Sequence, residues 1–430
     1  MTPQTWLSKG TPSGLLLLSL LVGIGGAVGA AVFHFLIFAS TVIFFGFTGS
    51  GSFINTVENL PLWQRLLAPT AGGLLVGIIF YLAKVSEAEG EGVPEVMDAL
   101  AVKRGRIRPI VAPIKIITAA LTLGSGGSAG REGPIIQIGS TIGSSIAQYT
   151  KQATQERMLL LACGAAAGIG GTFGAPIAGV FFTIEILRHK TKNFYRLSLI
   201  ALSATVSSVI SLFVIGHEVT WKVTDATVII SLQTLVTMIG IGVCAAFIAL
   251  LFGSILSWGK AVFKKITLHP IFKPALGGLG IGCMGLLLPH LHEPAANPLI
   301  VDLVTMSSIP VTFLVILLVL KMIATSITLG SGGSGGIFAP LLLLGAILGS
   351  ITVSLLLSFN LIPVAFAPYL ILLGMAGVFA GAAHAPLTAA FIIFEMSDSF
   401  TLLLPLLLVT YTANLITKKL KPESIYETAQ

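Results

Sequence analysis

Residues 124–134 read GSGGSAGREGP and residues 330–340 read GSGGSGGIFAP. Both are glycine- and serine-rich runs set between apolar stretches, and the first closes on the adjacent charges Arg131 and Glu132. The likeness extends upstream. Residues 115–134 (KIITAALTLGSGGSAGREGP) align without gaps to 321–340 (KMIATSITLGSGGSGGIFAP), an offset of 321 − 115 = 206, with eleven of the twenty positions identical. Ala68-Pro69 with Gly72-Gly73 answers Lys273-Pro274 with Gly277-Gly278 at an offset of 205, and Gly164, Ala175-Pro176 and Glu185 answer Gly374, Ala385-Pro386 and Glu395 at 210. One fold is therefore written twice. The first repeat is expected over 14–215 and the second over 228–417, with a joining loop at 216–227 and flanking segments at 1–13 and 418–430.

The surroundings of these loops are too oily for a soluble globule. Mean hydropathy is +0.98, 55% of residues are apolar and only 10% are charged. Apolar runs long enough to cross about 30 Å of hydrocarbon recur along the whole chain, which makes it a multi-pass membrane protein. Leu15 to Phe47 is one such run of 33 positions, and at about 1.5 Å per residue it must tilt to fit. It is also too long for the apolar region of a secretory signal. The other apolar segments are uneven, which implies tilted and half-spanning helices. Polar breaks fall at 90–94 (GEGVP), at the two glycine-rich loops and at Ala175-Pro176 and Ala385-Pro386. Unpaired backbone of this kind is tolerated at membrane depth only inside the protein or beside water.

The net charge of +7 does not indicate nucleic acid, because the basic residues sit in short clusters between apolar runs: 103–108 (KRGRIR), 188–196 (RHKTKNFYR), 260–265 (KAVFKK) and 418–421 (KKLK). By the positive-inside rule these loops, and with them both termini, are expected in the cytoplasm. Trp63, Trp221 and Trp258 near segment ends fit interfacial anchoring. Cys163, Cys244 and Cys283 are single, without metal or disulfide spacing, and read as packing residues. His290, His292 and Glu293 (HLHEP) have metal-like spacing but read as a solvated loop, so neither a metal nor a cofactor is expected.

Repeats with broken helices point to an inverted-topology transporter whose site lies near the midplane, between the halves. The sign of the cargo follows from the turns. Glycine-rich turns that open helices present unpaired N–H groups and the positive end of the helix dipole, which attract anions. Three such turns exist, GEGVP, GREGP and GIFAP. A buried ion costs several kcal/mol, and one helix N-terminus recovers only about 0.3–2 kcal/mol, so the turns must converge. A different class, a nucleotide-binding enzyme, is hinted at by Gly124, Gly126 and Ala129, which satisfy a loose G-x-G-x-x-A fingerprint. No strand–helix–strand alternation surrounds it, and it recurs at Gly330, Gly332 and Gly335 as a repeat requires.

These motifs carry a family resemblance. GREGP at 130–134, GGIFAP at 335–340, the GxGxP pattern at 90–94 and Tyr426 beyond the last apolar run resemble the signature set of the CLC family of chloride channels and proton-coupled chloride transporters. The resemblance runs from about residue 14 to residue 428, and is to members without C-terminal regulatory domains. It implies an all-α polytopic membrane protein with two inverted repeats of tilted, partly re-entrant helices. It further implies a homodimer in the lipid of the cell membrane, with one pore per subunit for chloride or a similar small monovalent anion, either exchanged for protons or passed through a channel. Glu132 resembles the gating glutamate, a carboxylate that occupies an anion site when ionised and swings away when protonated. The amides of Ile337 and Phe338 resemble those that hold the central anion, and the hydroxyl of Tyr426 resembles its side-chain donor. Gly90, Glu91, Gly92, Val93, Gly130, Arg131, Gly133, Gly336 and Ala339 complete the anion-binding turns. The plain structural alternatives are a buried ion pair of Glu132 with Arg131 or Lys115, helix packing at Phe338 and an interfacial Tyr426.

Two departures from the family pattern matter. Most anion-selective relatives carry a serine at the second position of GxGxP, where this chain has Glu91, and a fixed carboxylate there repels an anion by several kcal/mol at low dielectric. Either Glu91 is protonated when the anion is bound, or it turns away. In coupled relatives a glutamate follows the residue matched by Glu185, and this chain has Ile186. Glu91 is the expected substitute for that inner proton acceptor, while Glu185 and Glu395 are expected to be structural.

Overall fold

Several helices start where the sequence supplies a cap or a proline and stop at a residue in the left-handed region. The first begins after Thr11, whose Oγ1 accepts the Gly14 N–H at 3.3 Å, takes Pro12 in its first turn and ends at Gly46 with φ +68°. In the computed structural model residues 11–49, 51–188, 193–216, 221, 232–293, 297–305, 309–363 and 366–428 are described. Most of the expected N-terminal segment and of the loop at 216–227 therefore lies outside the described residues.

The first repeat comprises α1 (Pro12–Phe45), α2 (Phe53–Glu58), α3 (Leu62–Ala83), α4 (Val93–Ala101), α5 (Val111–Gly124), α6 (Glu132–Tyr149), α7 (Thr154–Phe173), α8 (Pro176–Glu185) and α9 (Phe194–Val214). The second comprises α10 (Leu232–Lys265), α11 (Lys273–Leu287), α12 (Asn297–Thr305), α13 (Val311–Gly330), α14 (Phe338–Ser358), α15 (Ala367–Ala383), α16 (Pro386–Ser397) and α17 (Leu403–Leu420). No strand occurs among the described residues. Among the described residues eight helices are long and apolar enough to cross a membrane, whereas α5, α8, α15 and α16 are shorter apolar helices. The ten residues of α8 cover only about 15 Å, half the hydrocarbon thickness. The glycine-rich loops separate α5 from α6 and α13 from α14, so the breaks read from the sequence are breaks between helices. The last helix continues to Leu420, two residues beyond the start of the expected tail.

The centre is built from the most apolar and smallest side chains. Helix α15 is buried along nearly its whole length and α7 along most of its own. Large apolar residues of α1, α9 and α10, such as Phe35, Phe213 and Phe247, face outward. That inversion suits a lipid solvent, which carries no penalty for exposed Phe or Leu.

Helices α8 and α16 show how the two repeats lock. Each starts with proline after an alanine, and alanine offers no side-chain cap. Glu185, at the end of α8, accepts the Leu387 and Thr388 N–H groups at the start of α16, at 3.0 and 2.7 Å. Glu395 near the end of α16 accepts the Ile177 and Ala178 N–H groups of α8, at 3.0 and 2.8 Å. This exchange requires the two helices to run antiparallel, as an inverted repeat demands, and Phe181 stacks on Phe391 between them at 4.7 Å. Each carboxylate meets the positive end of a helix dipole, a structural role. We expect Glu185→Gln and Glu395→Gln each to cost about 1–2 kcal/mol, read as a lower unfolding temperature in detergent, with chloride movement at moderate temperature unaltered. Lost transport without lost stability would contradict the capping role.

Three smaller expectations are corrected. Trp63 and Trp258 are exposed, but Trp221 is 3% exposed and packs in the main apolar cluster, so it is no interfacial anchor. Cys163 is buried as expected for packing, whereas Cys244 and Cys283 are exposed on the outer faces of α10 and α11. The HLHEP loop is not solvated: His292 and Glu293 are buried, and Glu293 accepts the Leu299 N–H at 3.0 Å. No group of metal-ligating side chains is found among the described residues.

Candidate functional site: an anion pathway between the repeats

The two glycine-rich loops meet across the repeat boundary. Gly130 and Gly336 exchange both backbone hydrogen bonds at 2.7 Å, as an isolated antiparallel bridge. On one side of the bridge lies the N-terminus of α6, opened by Glu132, and on the other the N-terminus of α14, opened by Phe338. The third turn, GEGVP, lies against the first: a Cβ built on Gly133 would stand 2.0 Å from the Glu91 carbonyl oxygen and 3.0 Å from the Gly336 Cα. Backbone thus touches backbone in all three turns, and α4, α6 and α14 begin around one point.

Short hydroxyl side chains hold the loops in register. Ser128 N–H donates to Thr328 Oγ1 at 3.1 Å, and Ser128 Oγ lies 3.0 Å from Thr325 Oγ1. In mirror fashion, Ser334 N–H donates to Thr122 Oγ1 at 3.1 Å and Thr118 Oγ1 donates to Ser334 Oγ at 3.2 Å. All six residues are buried. Thr122 and Thr328, like Ser128 and Ser334, are repeat equivalents at an offset of 206. These bonds satisfy loop backbone that neither helix nor water reaches. The sequence reading missed this lattice, although the conserved TLGSGGS in both copies carried it.

Lys115 lies fully buried on α5 and donates to the Ala88 and Gly90 carbonyls, at 3.3 and 2.7 Å. Its ammonium therefore anchors the GEGVP loop and not the Glu132 carboxylate, which removes the Lys115 alternative for Glu132. Lys321, its equivalent on α13, is likewise buried, close to the charge of Glu293.

Glu132 is 1% exposed, and its Oε2 accepts the Ala339 N–H at 3.2 Å. A carboxylate of one repeat thus sits on the helix N-terminus of the other, in the position a small anion would take. Arg131 lies beside it and lines a cavity of about 420 Å³ with Phe33, His34, Ser211 and Glu395. Phe338 packs between Phe173 and Phe379, with ring centres at 5.2 and 4.3 Å. Tyr426 is 1% exposed and within electrostatic range of both Glu91 and Glu132, not at an interface. The tail that carries it is fixed by the Ile425 N–H, which donates to the Ala382 carbonyl at 3.0 Å, and by Glu427 paired to Arg188 at 2.6 Å.

Glu91 is 2% exposed, and the structure gives it a partner that neither expectation named. Lys260 of α10 reaches it at 2.5 Å, so the carboxylate carries a counter-charge. Nothing in the sequence pairs positions 169 residues apart, and by local charge Lys260 is one member of a cytoplasmic cluster. Ile186 is buried among apolar neighbours, where it offers no proton site. The nucleotide fingerprint at Gly124 follows helix α5 and no strand, so its structural basis is absent among the described residues.

A family model described as voltage gated chloride channel matches residues 72–418. The chain is 30% identical over 444 residues to the H(+)/Cl(-) exchange transporter ClcA of Vibrio cholerae, covering 98% of this chain and 90% of the relative. It is 29% identical over 443 residues to ClcA of Salmonella paratyphi B, covering 97% and 88%. Among solved structures, a slow cyanobacterial Cl-/H+ antiporter superposes with TM-score 0.81 at 25% identity, covering 100% of this chain and 97% of that one. A CLC-type fluoride/proton antiporter shares the fold with TM-score 0.80 at 24% identity, covering 96% and 97%. With broken helices meeting at a carboxylate-filled site and the family model spanning most of its length, the chain belongs to the voltage gated chloride channel family.

Proposed function

We propose that this protein exchanges chloride for protons across the cell membrane, as a homodimer with one pathway per subunit and both termini in the cytoplasm. The observation that carries the reading is the Glu132 carboxylate accepting the Ala339 N–H at the start of α14. A group that occupies an anion site when ionised, and vacates it when protonated, ties anion occupancy to proton occupancy. The backbone of Gly336 to Ala339 and of Gly130 to Gly133 forms the anion cradle, with the amides of Ile337 and Phe338 and the Tyr426 hydroxyl as donors. Two relatives bear the name of H(+)/Cl(-) exchange transporters, which favours exchange over passive conduction.

Glu91 takes the part of inner proton acceptor in this reading. It is buried and shares electrostatic range with Tyr426, and its backbone carbonyl lies against Gly133 of the cradle. While ionised it is compensated by Lys260, and arrival of a proton releases that lysine. The test is purified protein in liposomes, with chloride efflux and external pH recorded together over a panel of chloride, bromide, nitrate and fluoride. Outward chloride flow is expected to drive protons inward and raise the external pH. In Glu91→Gln the proton flux per chloride is expected to fall at least about tenfold; unchanged coupling would remove Glu91 from the proton path. A reversal potential that follows chloride alone in the wild type would establish a channel instead.

A further inference from the structure

Lys260 has a geometry that charge compensation alone leaves unexplained. Its side chain lines a cavity of about 410 Å³ together with Lys264, Lys273, Glu89, Ser331 and Gly332, and it ends on Glu91 Oε1 at 2.5 Å. This cavity is lined by the end of α10 and the start of α11, whose basic cluster at 260–265 is expected on the same face as the C-terminal tail. The cavity beside Arg131 lies towards the other face, at the end of α8 capped by Glu395.

The two partners differ in access. The Lys260 side chain is 34% exposed and that of Glu91 only 3%. A small anion arriving through this cavity therefore meets the ammonium before the carboxylate. Three lysines against Glu89 and the paired Glu91 leave the cavity with a net positive field, which low-dielectric walls focus and which raises the local concentration of anions. The ion pair is also incompletely satisfied: Glu91 Oε2 is buried with no hydrogen-bond partner. An ammonium has three donors, and the pair uses one of them. Lys260 is therefore built to exchange partners, not to be held on one.

We propose that Lys260 is an anion ligand at the mouth of the pathway on the C-terminal face, bound to Glu91 while the mouth is empty and to a small monovalent anion when it fills. The proposal rests on the reading that the chain moves chloride. It differs from a purely compensating role, in which Lys260 serves only to neutralise the buried Glu91 and is dispensable once that charge is gone.

The two roles separate in one experiment. Initial chloride uptake is measured against external chloride in liposomes holding the protein in both orientations, for wild type, Lys260→Met, Lys260→Arg and the double variant Lys260→Met/Glu91→Gln. In Lys260→Met one component of the saturation curve is expected to shift to about tenfold higher chloride, while the component from molecules presenting the other face stays at its wild-type value and reports correct folding. The double variant is expected to keep the raised component, because the anion ligand is still missing. Lys260→Arg is expected to stay within about threefold of wild type. A return to wild-type saturation in the double variant would overturn the proposal in favour of compensation, and so would an unshifted curve for Lys260→Met. Wild-type vesicles that take up no chloride would instead overturn the transport reading, and this inference with it.

Discussion

Glu132→Gln is expected to reduce chloride-driven proton movement to background, a loss of at least about a hundredfold, while chloride itself still flows. The side chain keeps its size and its carbonyl oxygen, so the hydrogen bond from the Ala339 N–H and the packing around it survive. What disappears is the charge that contests the site and the carboxylate that binds and releases a proton there. A carboxylate and a chloride about 4 Å apart repel by about 4 kcal/mol at an effective dielectric of 20. With that repulsion gone the anion occupies the neighbourhood of α14 at all pH values, and the dependence of chloride flow on pH flattens. Simultaneous recording of chloride and pH in liposomes checks both parts. Proton pumping retained by Glu132→Gln would refute the assignment of the gate. Chloride flow lost along with it would indicate a structural role, as in a buried ion pair.

The second large effect is expected from a single methyl group. In Gly133→Ala the new Cβ would lie 2.0 Å from the Glu91 carbonyl oxygen and 3.0 Å from the Gly336 Cα, both backbone atoms. Neither neighbour is free to retreat. The GEGVP loop is held by Lys115 on the Gly90 carbonyl at 2.7 Å, and Gly336 is held by its two 2.7 Å bonds to Gly130. Overpacking of this kind costs about 1–3 kcal/mol, and breaking the Gly130–Gly336 bridge adds about 1 kcal/mol per bond. We expect loss of most folded protein, or, in molecules that fold, transport reduced at least about a hundredfold, because displacement of the cradle amides by an ångström spoils binding geometry. Gly240→Ala is the control. Beyond its own helix backbone and chain neighbours, no described residue comes within 4 Å of a Cβ there, so neutral or slightly raised helix stability is expected. Purification yield, unfolding temperature and chloride flux compared between the two variants decide the matter. Normal folding and flux in Gly133→Ala would mean that the three turns do not converge as described.

Much of this site was legible before any coordinates. The offset of 206 between Lys115 and Lys321 announced a repeat, and the glycine-rich breaks in oily surroundings announced non-helical backbone that only a protein interior tolerates. The requirement that several weak helix ends share one ion placed the three turns together, and they do touch, through Gly133, Glu91 and Gly336. The structural part given to Glu185 and Glu395 also fits the capping they perform, although their exchange between helices was not foreseen.

What escaped the sequence were partnerships between distant residues. Lys260 looked like one charge of a surface cluster because charge counting along the chain knows only neighbours, yet the end of α10 brings it to Glu91. Trp221 and the HLHEP loop were placed by local polarity at an interface and in solvent, and tertiary packing buried both. By itself, the sequence determined the solvent, the repeat and the sign of the cargo, because hydropathy, periodicity and helix-end electrostatics are local properties. Only the tertiary structure decided which charges compensate one another across the repeats, since burial and ion pairing depend on distances that the order of residues does not encode.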